Sequence, residues 1–410
     1  LAFLFVSCSS SVRVIVEETK SDLPKQQNIS YKNFHDSFEH LDTLFAVNSE
    51  QKGQQFMQNA LKCMIRGSYD EAEAILKEQK ELFNNDTLKS FSFKLLSSIY
   101  AIESRWDEAS NLLHENGGTD AEDIYKVYAE FPTEKTIWNK ESDTAKLRYS
   151  KGNPIIEVEL NGKKYKFIFD TGADMSVVSS DVAKECGLKL KAGFKNVLKN
   201  ANDGSVGFYS SVADTLKIAS TAFYNHPVFV INEKDLKFKF LFFTVLKIDG
   251  IIGWNLIKQI RVVLDFKNEQ LILTKPEKKS NFERNLFWVG YPYLKCLSDG
   301  NVVLNMGFDT GADMSAFTLA IFDKISPRKL DECYRKVYSV AGETEYKGVV
   351  MPELKLLLAD KIITFNNIYS VPERIFKKFI IDGVIGGDVL ENTVTEIDFI
   401  NGTFRIYIIK

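Results

Sequence analysis

Histidine and cysteine are scarce in this chain, and their placement excludes several chemistries. His35, His40, His114 and His226 form neither a Ser-His-Asp pattern nor a metal-binding spacing, and His226 precedes Pro227, a setting that suits a structural role. Cys8, Cys63, Cys186, Cys296 and Cys333 contain no Cys-x-x-Cys pair. No metal and no cofactor is therefore expected, and buried free thiols are favoured over disulfides for the last four. A basic surplus is also absent: 52 Lys and Arg stand against 55 Asp and Glu, a net charge of −3 that makes no case for nucleic acid. No internal apolar run reaches the roughly 18 residues of a membrane-spanning helix.

What remains is a folded chain long enough, at 410 residues, for two or three domains. Its 31 Phe and 16 Tyr suit a body rich in β-strand. The string Asp-Thr-Gly-Ala-Asp-Met-Ser occurs twice, at Asp170–Ser176 and Asp309–Ser315. Each copy follows an apolar, strand-like run, Tyr165–Phe169 and Val302–Phe308. A strand ending in Asp-Thr-Gly presents a carboxylate on a tight turn. Two such carboxylates brought face to face cannot both ionise, so they share a proton and can activate water.

The duplication extends past the motif. Asp249-Gly-Ile-Ile-Gly253 returns as Asp382-Gly-Val-Ile-Gly386, and Val263-Leu-Asp-Phe266 is answered by Glu396-Ile-Asp-Phe399. Order and spacing agree in both copies apart from a few loop residues, which predicts two duplicated lobes and not a short-period solenoid.

The repeated Asp-Thr-Gly-Ala-Asp, followed in each copy by two aliphatic residues and Gly, resembles the retropepsin-like aspartic protease family over residues 150–410. The chain looks like two such lobes in tandem, so it also resembles the bilobal pepsin plan. The resemblance implies a mostly β bilobal fold and an aspartic endopeptidase acting on a peptide or protein substrate. Asp170 and Asp309 would form the catalytic dyad. Thr171 and Thr310 would lock the two turns together, and Gly172 and Gly311 would leave room at the dyad. Ala173 and Ala312 stand where pepsin-like enzymes carry a hydroxyl that lowers the carboxylate pKa, so the expected optimum lies nearer neutral pH. Asp174 and Asp313 would contact substrate. The Arg that supports them in retroviral enzymes is replaced here by Trp254 and Gly387, leaving that role or the capping of the turn open to them.

Turn signals at Ala201-Asn-Asp203-Gly204 and Val340-Ala-Gly342-Glu343 follow each motif at matching distances. They predict one flap per lobe, with Asp203, Gly204, Gly342 and Glu343 over the substrate. Blander readings compete: a plain turn, a calcium ligand pair at Asp170 and Asp174, or a catalytically silent peptide-binding or assembly lipoprotein that keeps the same cleft.

Residues 34–131 carry apolar residues at helical spacing over Gln54–Ile65, Tyr69–Phe83, Thr87–Ser104 and Trp106–His114. Gly67-Ser-Tyr-Asp-Glu-Ala72 is echoed by Ser104-Arg-Trp-Asp-Glu-Ala109, which resembles tetratricopeptide (TPR) helix hairpins. The expectation is a multidomain α + β chain whose TPR-like helical domain offers a surface to a protein partner or simply packs. Residues 132–150 read as a linker, 151–277 as lobe 1 and 278–410 as lobe 2. Residues 1–33 read as a signal-peptide remnant and linker. There Cys8, after Leu1–Ser7, resembles a bacterial lipoprotein processing site and implies a lipid-anchored protein of the cell envelope, periplasmic or surface-exposed. The alternative for this terminus is a strand continuing into Ser11–Val16.

Overall fold

The computed structural model describes residues 13–18, 52–78, 86–150, 152–191, 197–199, 205–232, 236–240, 243–278, 284–288, 290–325, 329–339, 342–371, 381–391 and 393–408. Helices occupy the N-terminal part and strands dominate the rest.

The two lobes repeat one strand plan. In lobe 1 the strand Asn153–Leu160 alternates buried Ile156, Val158 and Leu160 with outward Glu157 and Glu159, the period of a half-buried strand. Asn161 and Gly162, both left-handed, turn it back into Lys163–Phe169. Gly250–Ile252 then lies parallel to that strand and antiparallel to Val177–Ser179. Val177–Ser179 in turn runs parallel to Thr221–Ile231. Lobe 2 repeats this with Val303–Phe308, Gly383–Ile385, Ala316–Thr318 and Lys361–Val371. Both Asp-Thr-Gly turns therefore leave a central strand.

The lobes are joined by a shared sheet. Arg261–Asp265 of lobe 1 pairs antiparallel with Thr393–Asp398 of lobe 2, from Arg261 opposite Asp398 to Asp265 opposite Val394. Val262, Leu264 and Ile397 from that seam are fully buried. This seam joins the halves in addition to the contacts at the turns.

Three assignments change. Residues 132–150 are not a linker: Lys135–Ile137 pairs with Thr221–Ile231, and Ser142–Ser150 pairs first with Gln270–Thr274 and then with Asn153–Leu160. Ala145 and Leu147 turn inward there, so a strand with only two buried apolar residues among charged ones reads as irregular in sequence. Arg13–Glu18 forms an edge strand on Lys361–Asn366 of lobe 2, with Val14 and Val16 against its core and Lys361 paired to Glu18. That is the strand alternative for Val14–Val16; Cys8 lies outside the described residues. A further helix, Asp120–Ala129, follows those expected.

The helices Lys52–Ile65, Tyr69–Glu78, Asp86–Ile102 and Trp106–Glu115 give the repeated segment a physical basis. Gly67 and Ser104 take matching left-handed conformations after a helix. Each is followed by an amide that reaches back, Ser68 to Cys63 O and Arg105 to Tyr100 O, both 2.8 Å. Ala72 and Ala109, the small residues of the repeat, are fully buried where helices meet. The helical part docks on lobe 1: Tyr128 is buried among Ile168, Val177 and Phe229, and its hydroxyl donates to Val228 O at 3.3 Å. Cys63, Cys186, Cys296 and Cys333 are free thiols.

Candidate active site

Asp170 and Asp309 are brought together. Both are fully buried at the junction of the lobes. A Cβ added to Gly172 would lie 2.4 Å from Asp309 Cγ, and one added to Gly311 would lie 2.6 Å from Asp170 Cγ. Each carboxyl therefore packs on the opposite lobe's glycine, and no other residue fits at either position.

The threonines hold this arrangement. Thr171 N donates to Thr310 Oγ1 and Thr310 N to Thr171 Oγ1, each at 3.0 Å. The hydroxyls then donate onward across the junction, Thr171 to Phe308 O at 2.8 Å and Thr310 to Phe169 O at 2.6 Å. Four buried hydrogen bonds thus cross between the turns. Within each turn Gly172 N donates to Asp170 Oδ1 at 2.8 Å, and Gly311 N to Asp309 Oδ1 at 2.9 Å.

The closing serine of each motif was not singled out by sequence, yet it is structural. Ser176 N and Oγ both donate to Asn255 Oδ1, while Ser176 Oγ accepts from Gly253 N. Ser315 makes the same bonds to Asp388 and Gly386. The signal was present: Asn255 and Asp388 both stand two residues after the aliphatic-Gly segment. In lobe 1 His226 extends the network, linking Ser176 to the buried Glu134. Burial opposes the charge of Glu134, but the neighbouring imidazole holds its carboxyl below the usual range.

A second missed residue touches Asp309 itself. Tyr291 is buried, and its hydroxyl donates to Asp309 Oδ2 at 2.9 Å. The hydroxyl that Ala312 lacks is thus supplied from elsewhere in lobe 2. Burial pushes both carboxyls up, Asp170 well above its ordinary value with the facing Asp309 adding to the effect. Burial raises Asp309 to about 6, held down by the bonds from Tyr291, from the facing Asp170 and from backbone donors.

Asp174 and Asp313 have different surroundings. Asp174 opens on a cavity of about 500 Å³ between lobe 1 and the helices, whose walls include Trp106, Tyr125, Phe229 and Trp288. Trp254 stands at the Arg position of the resemblance in lobe 1. Burial pushes the Asp174 carboxyl up, and the charge of Lys258, one turn beyond Trp254 and bonded to Ile102 O at 2.5 Å, offsets only part of this. Asp313 is half-buried under Gly152, and the Tyr149 hydroxyl stands against Gly387 where the Arg of the resemblance would emerge.

Both expected hairpins are present, with Val197–Lys199 paired to Ser205–Gly207 and Asp331–Ser339 paired to Gly342–Val350. Gly342 and Glu343 begin the returning strand of the second. Asp203 and Gly204 lie outside the described residues, so the flap role expected for them has no structural account.

A family model described as aspartyl protease matches residues 156–256, from the first strand of lobe 1 to the helix after Gly253. It covers Asp170–Ser176 and supports an aspartyl protease that acts on peptide or protein; the second motif copy lies outside the matched segment. No curated protein matches the chain.

Proposed function

We propose that this chain is an aspartic endopeptidase with a complete active site in one polypeptide, formed by Asp170 and Asp309. The carrying observation is the four-bond lock between Thr171 and Thr310, which sets the two buried carboxyls on each other's glycines. Buried face to face, one carboxyl is charged and the other holds a proton. The charged one takes a proton from water, whose oxygen bonds the peptide carbon as the protonated one gives its proton to the carbonyl oxygen. When the tetrahedral diol collapses, the newly protonated carboxyl donates to the leaving nitrogen and a diol hydroxyl returns its proton to the other. The products are a carboxylic acid and an amine, and no acyl-enzyme forms.

The substrate would lie extended between the turns and the two hairpins, adding main-chain hydrogen bonds as a strand does. Its path past Asp174 would run into the cavity shared with the helices, so the helical part, TPR-like in its repeat, would contribute to substrate selection. Lipid attachment at Cys8 belongs to the same reading and would hold the edge strand of lobe 2 near an envelope membrane. The test is digestion of a mixed peptide library near pH 6–7 by wild type, Asp170→Asn and Asp309→Asn, with products mapped by mass spectrometry. Internal cleavage by wild type alone is expected. A silent wild type, or a mutant that cuts as well, overturns the proposal and leaves a peptide-binding module.

A further inference from the structure

The two motifs are identical in sequence, but their carboxyls do not have identical partners. Gly172 N donates to Asp170 Oδ1 at 2.8 Å, while Gly311 N and Ala312 N donate to Asp309 Oδ1 at 2.9 and 3.1 Å. Lobe 2 adds the phenol of Tyr291. The difference begins where each lobe's first hairpin starts, at Gly152-Asn153-Pro154 and Gly290-Tyr291-Pro292. These triplets lead into the matched strands Asn153–Leu160 and Pro292–Ser298. Asn153 is too short to do what Tyr291 does.

The room for the ring is also particular to lobe 2. Two residues before the catalytic position, lobe 1 has Ile168 and lobe 2 has Gly307. A Cβ on Gly307 would lie 2.5 Å from Tyr291 Cε1. The large residue at 291 and the absent side chain at 307 are therefore two halves of one arrangement. Tyr293 packs on the ring edge-on, with centroids 6.1 Å apart. The titratable groups facing Asp309 among the described residues are Asp170 and Tyr291, with Tyr293 behind the phenol.

We propose that Tyr291 is a positioning residue that breaks the symmetry of the dyad, holding Asp309 as the ionised member and leaving the shared proton on Asp170. A phenol that keeps its proton can only donate to a carboxylate, and donation stabilises the charged form. Burial and the neighbouring Asp309 push the phenol's own pKa far up, so it remains a donor. Tyr291 is the largest of the influences that hold Asp309 down against its burial. Asp309 is then the base that takes the proton from water, and Asp170 the acid that serves the carbonyl. This assignment rests on the peptidase reading; the ionisation order does not.

The experiment follows both carboxyls by NMR in protein labelled with ¹³C at the Asp carboxyl, using Asp170→Asn and Asp309→Asn to identify the signals. In wild type Asp309 is expected to ionise first. In Tyr291→Phe that step should move up by about one pH unit, the size of one lost hydrogen bond to a charged group. Gly307→Ala, which displaces the ring without removing the hydroxyl, should move it in the same direction. The acid limb of kcat/KM should follow, with roughly tenfold lost on the limb and little change well above it. Asp170 ionising first, or an unmoved step in both variants, overturns the proposal. If Tyr291→Phe does not fold, the wild-type order and Gly307→Ala decide it. A wild type that cuts no peptide defeats the peptidase reading, while the titration still decides the role of Tyr291.

Discussion

Thr171 and Thr310 exchange backbone donors with each other's hydroxyls at 3.0 Å while both hydroxyls donate to carbonyls of the opposite lobe. The pairing is reciprocal and fully buried, so its members have no water to fall back on. Thr310→Val keeps the shape but leaves Thr171 N and Phe169 O without that partner. Each such buried group costs about 1–3 kcal/mol. A loss of about 2–5 kcal/mol in denaturant unfolding is expected, with activity falling further than stability because the carboxyls lose their register. An unchanged unfolding midpoint would refute this account of the junction.

The proposed dyad would set the pH dependence. The base must be ionised and its partner protonated, so activity rises as Asp309 loses its proton and falls as Asp170 loses the second. With Asp309 raised to about 6, the acid limb of kcat/KM should lie near pH 6. Ala173 leaves Asp170 without a hydroxyl of its own turn, and Tyr291 serves Asp309 alone, so neither limb reaches the strongly acidic range. A rate maximum below about pH 3, the ordinary carboxyl range or lower, would contradict this.

The facing of Asp170 and Asp309, the threonine lock and the repeated strand plan were legible because they depend on short strings that recur intact. Asp170, Thr171 and Gly172 need only a strand before them and a turn after. Tyr291 was not legible for the opposite reason. Its contact depends on Gly307 across a strand pair, in which Tyr293 lies opposite Gly307, and no local pattern records that vacancy. The seam between Arg261–Asp265 and Thr393–Asp398 pairs segments far apart in the chain, each of which alone reads as an ordinary alternating strand. Residues 132–150 read as a linker because in the strand Ser142–Ser150 only Ala145 and Leu147 are buried apolar residues.

Asp388 offers a direct test of the lobe comparison. Burial pushes its carboxyl up to about 6 despite the bonds from Ser315. The folded state therefore holds that proton more tightly than the unfolded chain, whose Asp ionises near 3.9. The associated stability is present below the unfolded value and is lost as pH rises through the folded value near 6. Lobe 1 has an amide, Asn255, in the same role, accepting from Ser176 N and Oγ. Asp388→Asn should therefore raise stability at pH 7, by up to about 3 kcal/mol, with the gain shrinking toward pH 4. Thermal melts across pH 4–7 measure it. A mutant that melts in parallel with wild type at every pH would show that Asp388 does not carry this burden.

The two acids that follow the dyad turns are expected to part company. Asp174 faces the cavity beside the helices, where its surroundings raise its carboxyl and Lys258 opposes this only in part. Asp313 is tucked under Gly152 on the other side of the site. An acid that opens on the cleft can meet the substrate main chain, whereas one covered by a strand entry holds that entry in place. Asp174→Asn keeps the volume and removes the charge, so it should raise KM several-fold with a smaller effect on kcat, and leave the melting temperature within a degree or two, as exposed substitutions do. Asp313→Asn should instead lower the melting temperature and leave KM nearly unchanged in the protein that remains folded. Steady-state kinetics on one cleaved peptide, together with thermal melts of both variants, separate the cases. Equal effects of the two substitutions on KM would mean that the cleft is symmetric and that the helices take no part in it.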